Sequence, residues 1–343
     1  MADLALMKTA GYVDPELKKI MSNSGPVSSL DATTDIHALR ETLRQRKLAL
    51  TAAAGPATST ITETDHSIPT RDGAQITVRV YHAADHGAGG PVLVVLHGGG
   101  WVLGNLDNEA LLCRTWCELF RGGVSVNVDY RLAPEHKFPV PVHDCHDAVL
   151  WVAAHPEIHG GDLAQGFIVA GVSAGANMAC SVAHLARDEG MVPPLTGVYL
   201  NIPSLLAPQA VPDRWQGVYT SREENKDAPI LNAGAIALFR KLYEDDPLSP
   251  LMSPAVWPSG HENLPPTYLQ VAGMDPLRDE GLIYEQMLRE EAAVATRLDV
   301  YPGLPHGFAS WWPKAQFSIK QRKDTADGLR WLLEAGEKGG GSA

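Results

Sequence analysis

Apolar and polar positions change period several times along the chain, and the changes predict alternating helices and strands. Residues 1–50 carry helical signals. Asp14-Pro15 reads as a cap followed by a first-turn proline. Asp35 precedes a stretch in which Ile36, Leu39 and Leu43 share one face. Both apolar stripes are narrow, so these helices should lie on something larger, as part of a cap over a site or as a plain packing arm. Small, proline-containing residues 52–59 read as a joint. From Ile61 the period falls to two: Ile76, Val78 and Val80 alternate with Thr77, Arg79 and Tyr81. Arg71-Asp72-Gly73 supplies a turn that would pair this strand with 61–68. Residues 83–90 read as a loop.

Val92 to Leu96 is a continuous apolar run, as expected of a strand covered on both faces. Beyond it come a helix at 107–120, a strand at 124–128 and a helix at 144–154. A strand at 167–170 precedes a helix at 177–187. Later come a strand at 267–271, a helix at 281–292, a strand at 297–301 and a helix over about 316–335. This alternation predicts an α/β fold, a mostly parallel central sheet with helices on both faces and the hairpin on one edge. Residues 204–264 break the pattern, being rich in Pro, Trp and Asn with one strong helix at 233–243. An insertion of that size suggests a small helical cap shared with residues 1–50. The α/β domain would then comprise 51–203 and 265–336, followed by a linker-like tail at 337–343.

Composition narrows the class. The chain has 343 residues, 45% of them hydrophobic and 20% charged, enough for a sizeable core. A net charge of −12 argues against nucleic-acid binding. The basic group Arg40, Arg44, Arg46 and Lys47 is therefore read as a solvated helix face. Cys113, Cys117, Cys145 and Cys180 are too few and too irregular for a disulfide framework. Cys113 and Cys117 fall four apart on a helix, yet nothing nearby completes a metal site, and no metal is expected. Reduced thiols, no secretion signal at the first residues and no bilayer-length apolar run suggest a cytoplasmic location and no membrane span.

The chemistry centres on Gly171-Val172-Ser173-Ala174-Gly175, between the strand at 167–170 and the helix that follows. Strand, sharp turn and helix form the setting in which a serine is lifted to the tip of a nucleophile elbow. The helix N-terminus beneath it favours developing negative charge. A serine nucleophile needs a base, an orienting carboxylate and oxyanion donors. His306, flanked by Pro305 and Gly307 after the last strand, is the base candidate. Asp275, after the strand at 267–271 and before Pro276, is the acid, in the chain order Ser…Asp…His. Asp279 and Glu280 read as helix-start acids. Gly98 and Gly99, after His97, and the N–H of Ala174 are the oxyanion candidates, with His97 holding the loop. No G-x-G-x-x-G or P-loop lysine supports a nucleotide loop here.

Taken together, His97-Gly98-Gly99-Gly100, Asp129-Tyr130-Arg131-Leu132-Ala133-Pro134-Glu135, Phe138-Pro139, the elbow, Asp275-Pro276-Leu277-Arg278-Asp279-Glu280 and Pro305-His306-Gly307 resemble the hormone-sensitive-lipase branch of the α/β-hydrolase superfamily. The stretch at 275–290 is also similar to fungal members. The resemblance implies a cofactor-free carboxylesterase acting on short- to medium-chain esters, with a cap from the N-terminus and an internal insertion. It leaves room for a lactonase, deacetylase or amidase on a natural-product substrate, and for a homodimer. It also implies a structural part for Asp129, Arg131 and Glu135. A silent receptor, such as the plant gibberellin receptor that resembles this branch without the catalytic histidine, is disfavoured by His306. Val172 and Ala176 stand where many members have a polar residue and a glycine. Trp101, Phe308, Trp311 and Trp312, with Trp215, Tyr219 and Phe239 of the insertion, are candidate pocket walls. Trp101, Trp215 and Phe308 are taken first.

Overall fold

Asp14 Oδ1 accepts the N–H groups of Glu16 and Leu17 and so caps α1 (Pro15–Ser24), with the proline in its first turn. Asp35 Oδ1 starts α2 (Ile36–Ala54) in the same way, through His37 and Ala38. The structure, a computed structural model, describes residues 11–25, 30–54, 60–83 and 89–339. The expected joint loses 52–54 to α2, and its remainder falls outside those residues, as do most of the loop at 83–90 and of the tail. Ile36 is buried and Leu39 packs on the core, whereas Leu43 is exposed. Arg40 does not face solvent as a free cation. Its Nε donates to Val102 O at 2.8 Å, its Nη1 to Glu135 at 2.7 Å and its Nη2 to Ala133 O. Arg44 pairs with Glu41 at the surface, and the side chains of Arg46 and Lys47 lie outside the described residues.

The hairpin forms as expected, β1 (Ile61–Pro69) against β2 (Gln75–Ala83). After it come β3 (Val92–Leu96), α3 (Ala110–Leu119), β4 (Val124–Asp129), α4 (Val140–Ala154) and the single turn α5 (Pro156–His159). Helix α4 starts four residues before the expected Asp144, because Pro141 sits in its first turn, where no N–H is needed. Next are β5 (Phe167–Val172), α6 (Ala174–Asp188) and β6 (Gly197–Asn201). Strand β6 was not expected. Its five residues follow Pro193-Pro194 and begin with glycine, which hides the apolar run Val198-Tyr199-Leu200. The chain then leaves the sheet through the short helices α7 (Asp213–Gln216) and α8 (Ser221–Glu224) and the longer α9 (Ala233–Tyr243). It returns as β7 (Thr267–Met274), α10 (Arg278–Gln286), β8 (Thr296–Pro305), α11 (Phe308–Trp311) and α12 (Gln316–Gly339). The last turn of the helix expected at 281–292 widens into a π-helical stretch, Met287–Glu291.

The eight strands form one sheet in the order β1-β2-β4-β3-β5-β6-β7-β8. β2 runs antiparallel to both neighbours, and β4 to β8 with β3 are parallel. One face packs on α4, α6 and α10 and the other on α3 and α12. Chain order reverses beside β3 and β5, which pair in register from Val92/Phe167 to Leu96/Gly171. The loops leaving these two strands therefore open on one crevice, the place where open α/β sheets bind ligands.

The segment between β6 and β7 is tied down by two acids expected only to start a helix. They do lie in the first turn of α10, but both are buried and turned to other work. Glu280 Oε2 accepts the N–H groups of Leu205 and Leu206, and its Oε1 accepts from Tyr219 Oη and the Arg222 guanidinium. Asp279 Oδ2 accepts from the Thr220 and Ser221 N–H groups, both at 2.7 Å. Glu280→Ala is expected to leave a largely buried Arg222 and two buried N–H groups unpaired, and to lower unfolding free energy by about 3–5 kcal/mol in urea denaturation. A loss under about 1 kcal/mol would mean that the clamp is replaceable by water.

Candidate active site

Ser173 is the tip of the turn between β5 and α6, with φ 56° and ψ −115°. A side chain seldom adopts this conformation, and it persists only where its surroundings enforce it. Here two close backbone approaches enforce it. A Cβ on Gly171 would lie 2.1 Å from Gly175 O, and one on Gly175 would lie 2.1 Å from Leu96 O. Only glycine fits at either place. Ser173 N–H donates to Asn201 O at 2.8 Å, so the unexpected strand β6 fixes the turn from the other side.

Strands β7 and β8 bring the other two groups. Asp275, 1% exposed, directly follows β7, and His306 directly follows β8. His306 Nδ1 is 2.7 Å from Asp275 Oδ2, and His306 Nε2 is 2.8 Å from Ser173 Oγ. A carboxylate only accepts, so Nδ1 carries the hydrogen and the Nε2 lone pair faces the serine hydroxyl. Asp275 Oδ1 accepts the Leu277 N–H at 2.9 Å, and Asn225 Nδ2 holds the Asp275 carbonyl at 3.0 Å. The acid is thus oriented by its own loop and by the segment between β6 and β7. The arrangement can move a proton from serine to imidazole while a buried carboxylate steadies the positive charge.

The glycine loop after β3 lies against the elbow. A Cβ on Gly98 would sit 3.6 Å from Ser173 Cβ. The structure differs from expectation at this glycine. Gly98 gives its N–H to Glu109 Oε1 at 3.3 Å, and Glu109, though at the start of α3, forms no cap with its own helix. Among the described residues, no acceptor takes the N–H groups of Gly99, Gly100 or Ala174. Gly98 N–H is thus engaged, while those of Gly99, Gly100 and Ala174 are open. Nothing in the spacing of the glycines could reveal this, since it depends on a side chain eleven residues away.

His97 is fully buried beneath the loop. It stacks on Tyr130 at 4.1 Å, its Nδ1 donates to Gly98 O at 2.9 Å, and Tyr130 Oη donates to His97 O at 2.7 Å. Arg131 pairs with Asp144 and Asp72, and Glu135 with Arg40. Cys113 and Cys117 are buried thiols. Burial raises both, Cys117 to about 12, and Cys117 Sγ donates to Tyr81 O. Of the pocket candidates, Phe308 packs against Tyr301 and Phe317 and is 3% exposed. It belongs to a packing cluster with Leu17, Ile202 and Phe317, against which Val172 and Met274 also pack. Trp101 is 5% exposed and stacks on Tyr243. Trp215 is half-buried, with Arg214 over its ring. Trp312 packs edge-on to Phe317, Trp311 is exposed, and Tyr219 Oη is engaged by Glu280.

Comparison with known proteins agrees with this geometry. Residues 93–310 match the model of a family described as having the alpha/beta hydrolase fold. The chain belongs to the α/β-hydrolase family, in its hormone-sensitive-lipase-like branch. This hydrolase is 37% identical over 325 residues to an AB hydrolase superfamily protein of Schizosaccharomyces pombe, covering 94% of each chain. It is 33% identical to the versiconal hemiacetal acetate esterase of Dothistroma septosporum, covering 91% of this chain and 92% of that one. Among solved structures, vibralactone cyclase superposes with a TM-score of 0.87 at 31% identity, over 96% of this chain and 97% of the other. No described helix is long and apolar enough to cross a membrane.

Burial lowers the His97 pKa from 6.5 to about 4, so the ring is neutral in the folded hydrolase. Between these values the unfolded chain binds the extra proton. The contribution of neutral His97 is whole above about pH 6.5 and is lost as pH falls toward 4, at about 1.4 kcal/mol per pH unit. Urea denaturation from pH 7 to pH 5 should show a slope in wild type that is reduced by about one proton in His97→Gln. Equal slopes in the two proteins would mean that His97 is not held neutral.

Proposed function

We infer that this chain is a serine carboxylesterase that hydrolyses short- to medium-chain carboxylic esters through an acyl-enzyme. The observation that carries the reading is the Asp275–His306–Ser173 relay, at 2.7 and 2.8 Å, on a turn whose backbone holds the serine forward. The esterase named among its relatives supports the same chemistry. Ser173 Oγ attacks the ester carbonyl as its proton passes to His306 Nε2, and Asp275 stabilises the imidazolium. The N–H groups of Gly99, Gly100 and Ala174 receive the oxyanion. His306 then protonates the leaving alkoxide. Water, deprotonated by the same imidazole, releases the acid and restores the serine. No step calls for a cofactor or metal.

Residues 1–50, of which 1–10 and 26–29 lie outside the described residues, and 204–264 are assigned to the cover of the site in this reading. Arg40 on the glycine-loop exit and the Asp279–Glu280 clamp support that division. Four free, buried cysteines fit a reducing cytoplasm. A second reading, lactone chemistry at the same serine, is favoured by the likeness to vibralactone cyclase. A panel of lactones beside open-chain esters separates the two by relative kcat/KM.

The direct test is hydrolysis of p-nitrophenyl esters from acetyl to decanoyl. Activity should peak at short to medium chains, vanish in Ser173→Ala and fall in Asp275→Asn by roughly 10³–10⁴-fold in kcat. Ester turnover retained by Ser173→Ala would remove Ser173 from the mechanism.

A further inference from the structure

The loop that offers the free N–H groups is itself in an uncommon conformation. Gly100 and Trp101 both have φ 61°. A bulky residue at positive φ is an outlier that its surroundings must hold. What surrounds this pair is α9. A Cβ built on Gly100 would lie 2.4 Å from Phe239 Cδ2 and 2.6 Å from its Cγ, so the ring rests directly on the glycine backbone. One helical turn later, Tyr243 stacks on the Trp101 indole at 4.7 Å with planes 6° apart. Phe239 and Tyr243 are four residues apart and face the same way. Helix α9 is in turn fixed to the body of the fold. Tyr243 O accepts the Phe138 N–H at 2.9 Å, and Phe138 meets the tyrosine ring edge-on at 5.6 Å. The far side of the loop is closed by Trp101 O, which accepts the Ala133 N–H at 3.0 Å.

We propose that Phe239 and Tyr243 are positioning residues, which press Gly99–Trp101 into the conformation that aims its N–H groups at the oxyanion. The proposal rests on the esterase reading. It makes α9 a fixed back wall of the oxyanion site and not a lid, since lifting the helix would release the strained pair and scatter the donors. The Tyr243 hydroxyl is buried without a partner among the described residues, so the stacked ring and not the oxygen does the positioning.

The test compares wild type with Phe239→Ala, Tyr243→Leu and Tyr243→Phe by two measurements. One is the kinetics of p-nitrophenyl butyrate hydrolysis. The other is the rate at which a fluorophosphonate labels Ser173, which needs the serine and the oxyanion donors but no substrate turnover. Phe239→Ala and Tyr243→Leu should lower kcat and the labelling rate together by about 10- to 100-fold with KM within about threefold. Tyr243→Phe should restore both. Should Phe239→Ala not fold, Phe239→Leu is read by the same two rates. Folded variants with both rates within about threefold of wild type, or a loss confined to KM, would overturn the proposal. So would a Tyr243→Phe as impaired as Tyr243→Leu. A wild type that is labelled but turns over no ester would overturn the esterase reading while the labelling rates still decide the positioning role. A wild type inert to both would overturn both.

Discussion

The backbone contact of Gly175 with the end of β3 governs the geometry of the site. With no Cβ at residue 175, α6 starts directly against Leu96 O and His97 O. That approach makes the turn at Ser173 so sharp that its φ must be positive. It also sets the elbow beside the glycine loop, because β3 and β5 are neighbours although 70 residues of chain separate their ends. The reversal of strand order at this point explains why nucleophile and oxyanion donors meet without either loop being long. Asn201, at the end of β6, closes the third side through the Ser173 N–H.

The loop from Asp275 to Glu280 divides its three carboxylates between two tasks. Asp275 turns toward His306, while Asp279 and Glu280 turn away to hold the Thr220–Arg222 and Leu205–Leu206 segments. Arg278, fully buried, bridges Asp279 and Glu224. Paired, hydrogen-bonded charges of this kind are expensive to break and poorly replaced by water. The acid of the relay is therefore as well fixed as the segment above it, and Asn225 joins the two directly through the Asp275 carbonyl.

Much of this was legible in the sequence where local chemistry decides structure. The apolar run of β3, the period-two hairpin and the glycine-flanked serine each announce an element by pattern alone, and the order Ser173, Asp275, His306 follows strand by strand. What was not legible depends on partners distant in sequence. Strand β6 is too short and too close to its prolines to show a period, yet the sheet completes it. Gly98 and Gly99 look equivalent until Glu109 occupies the first. Arg40 belongs to a run of basic residues, and its partners, Glu135 and the carbonyls of Val102 and Ala133, lie more than 60 residues away. Phe308 sits two residues from His306, and only the fold shows that its ring is buried against Tyr301 and Phe317.

These distant partners share a feature. Each loop that serves Ser173 is tied to a different segment outside the sheet. The strand that leads to His306 is held by residues 12–14, where Asp14 N–H donates to Gly303 O and a Cβ on Gly303 would strike the Tyr12 ring. The exit of the glycine loop is held by Arg40 of α2, and the loop of Asp275 by Asn225. Moving α1, α2 and the segment between β6 and β7 together would break the hydrogen bonds to Gly303 O, Val102 O and Asp275 O at once. The approach to base, acid and glycine loop is therefore fixed by contacts with all three segments and not by the sheet alone.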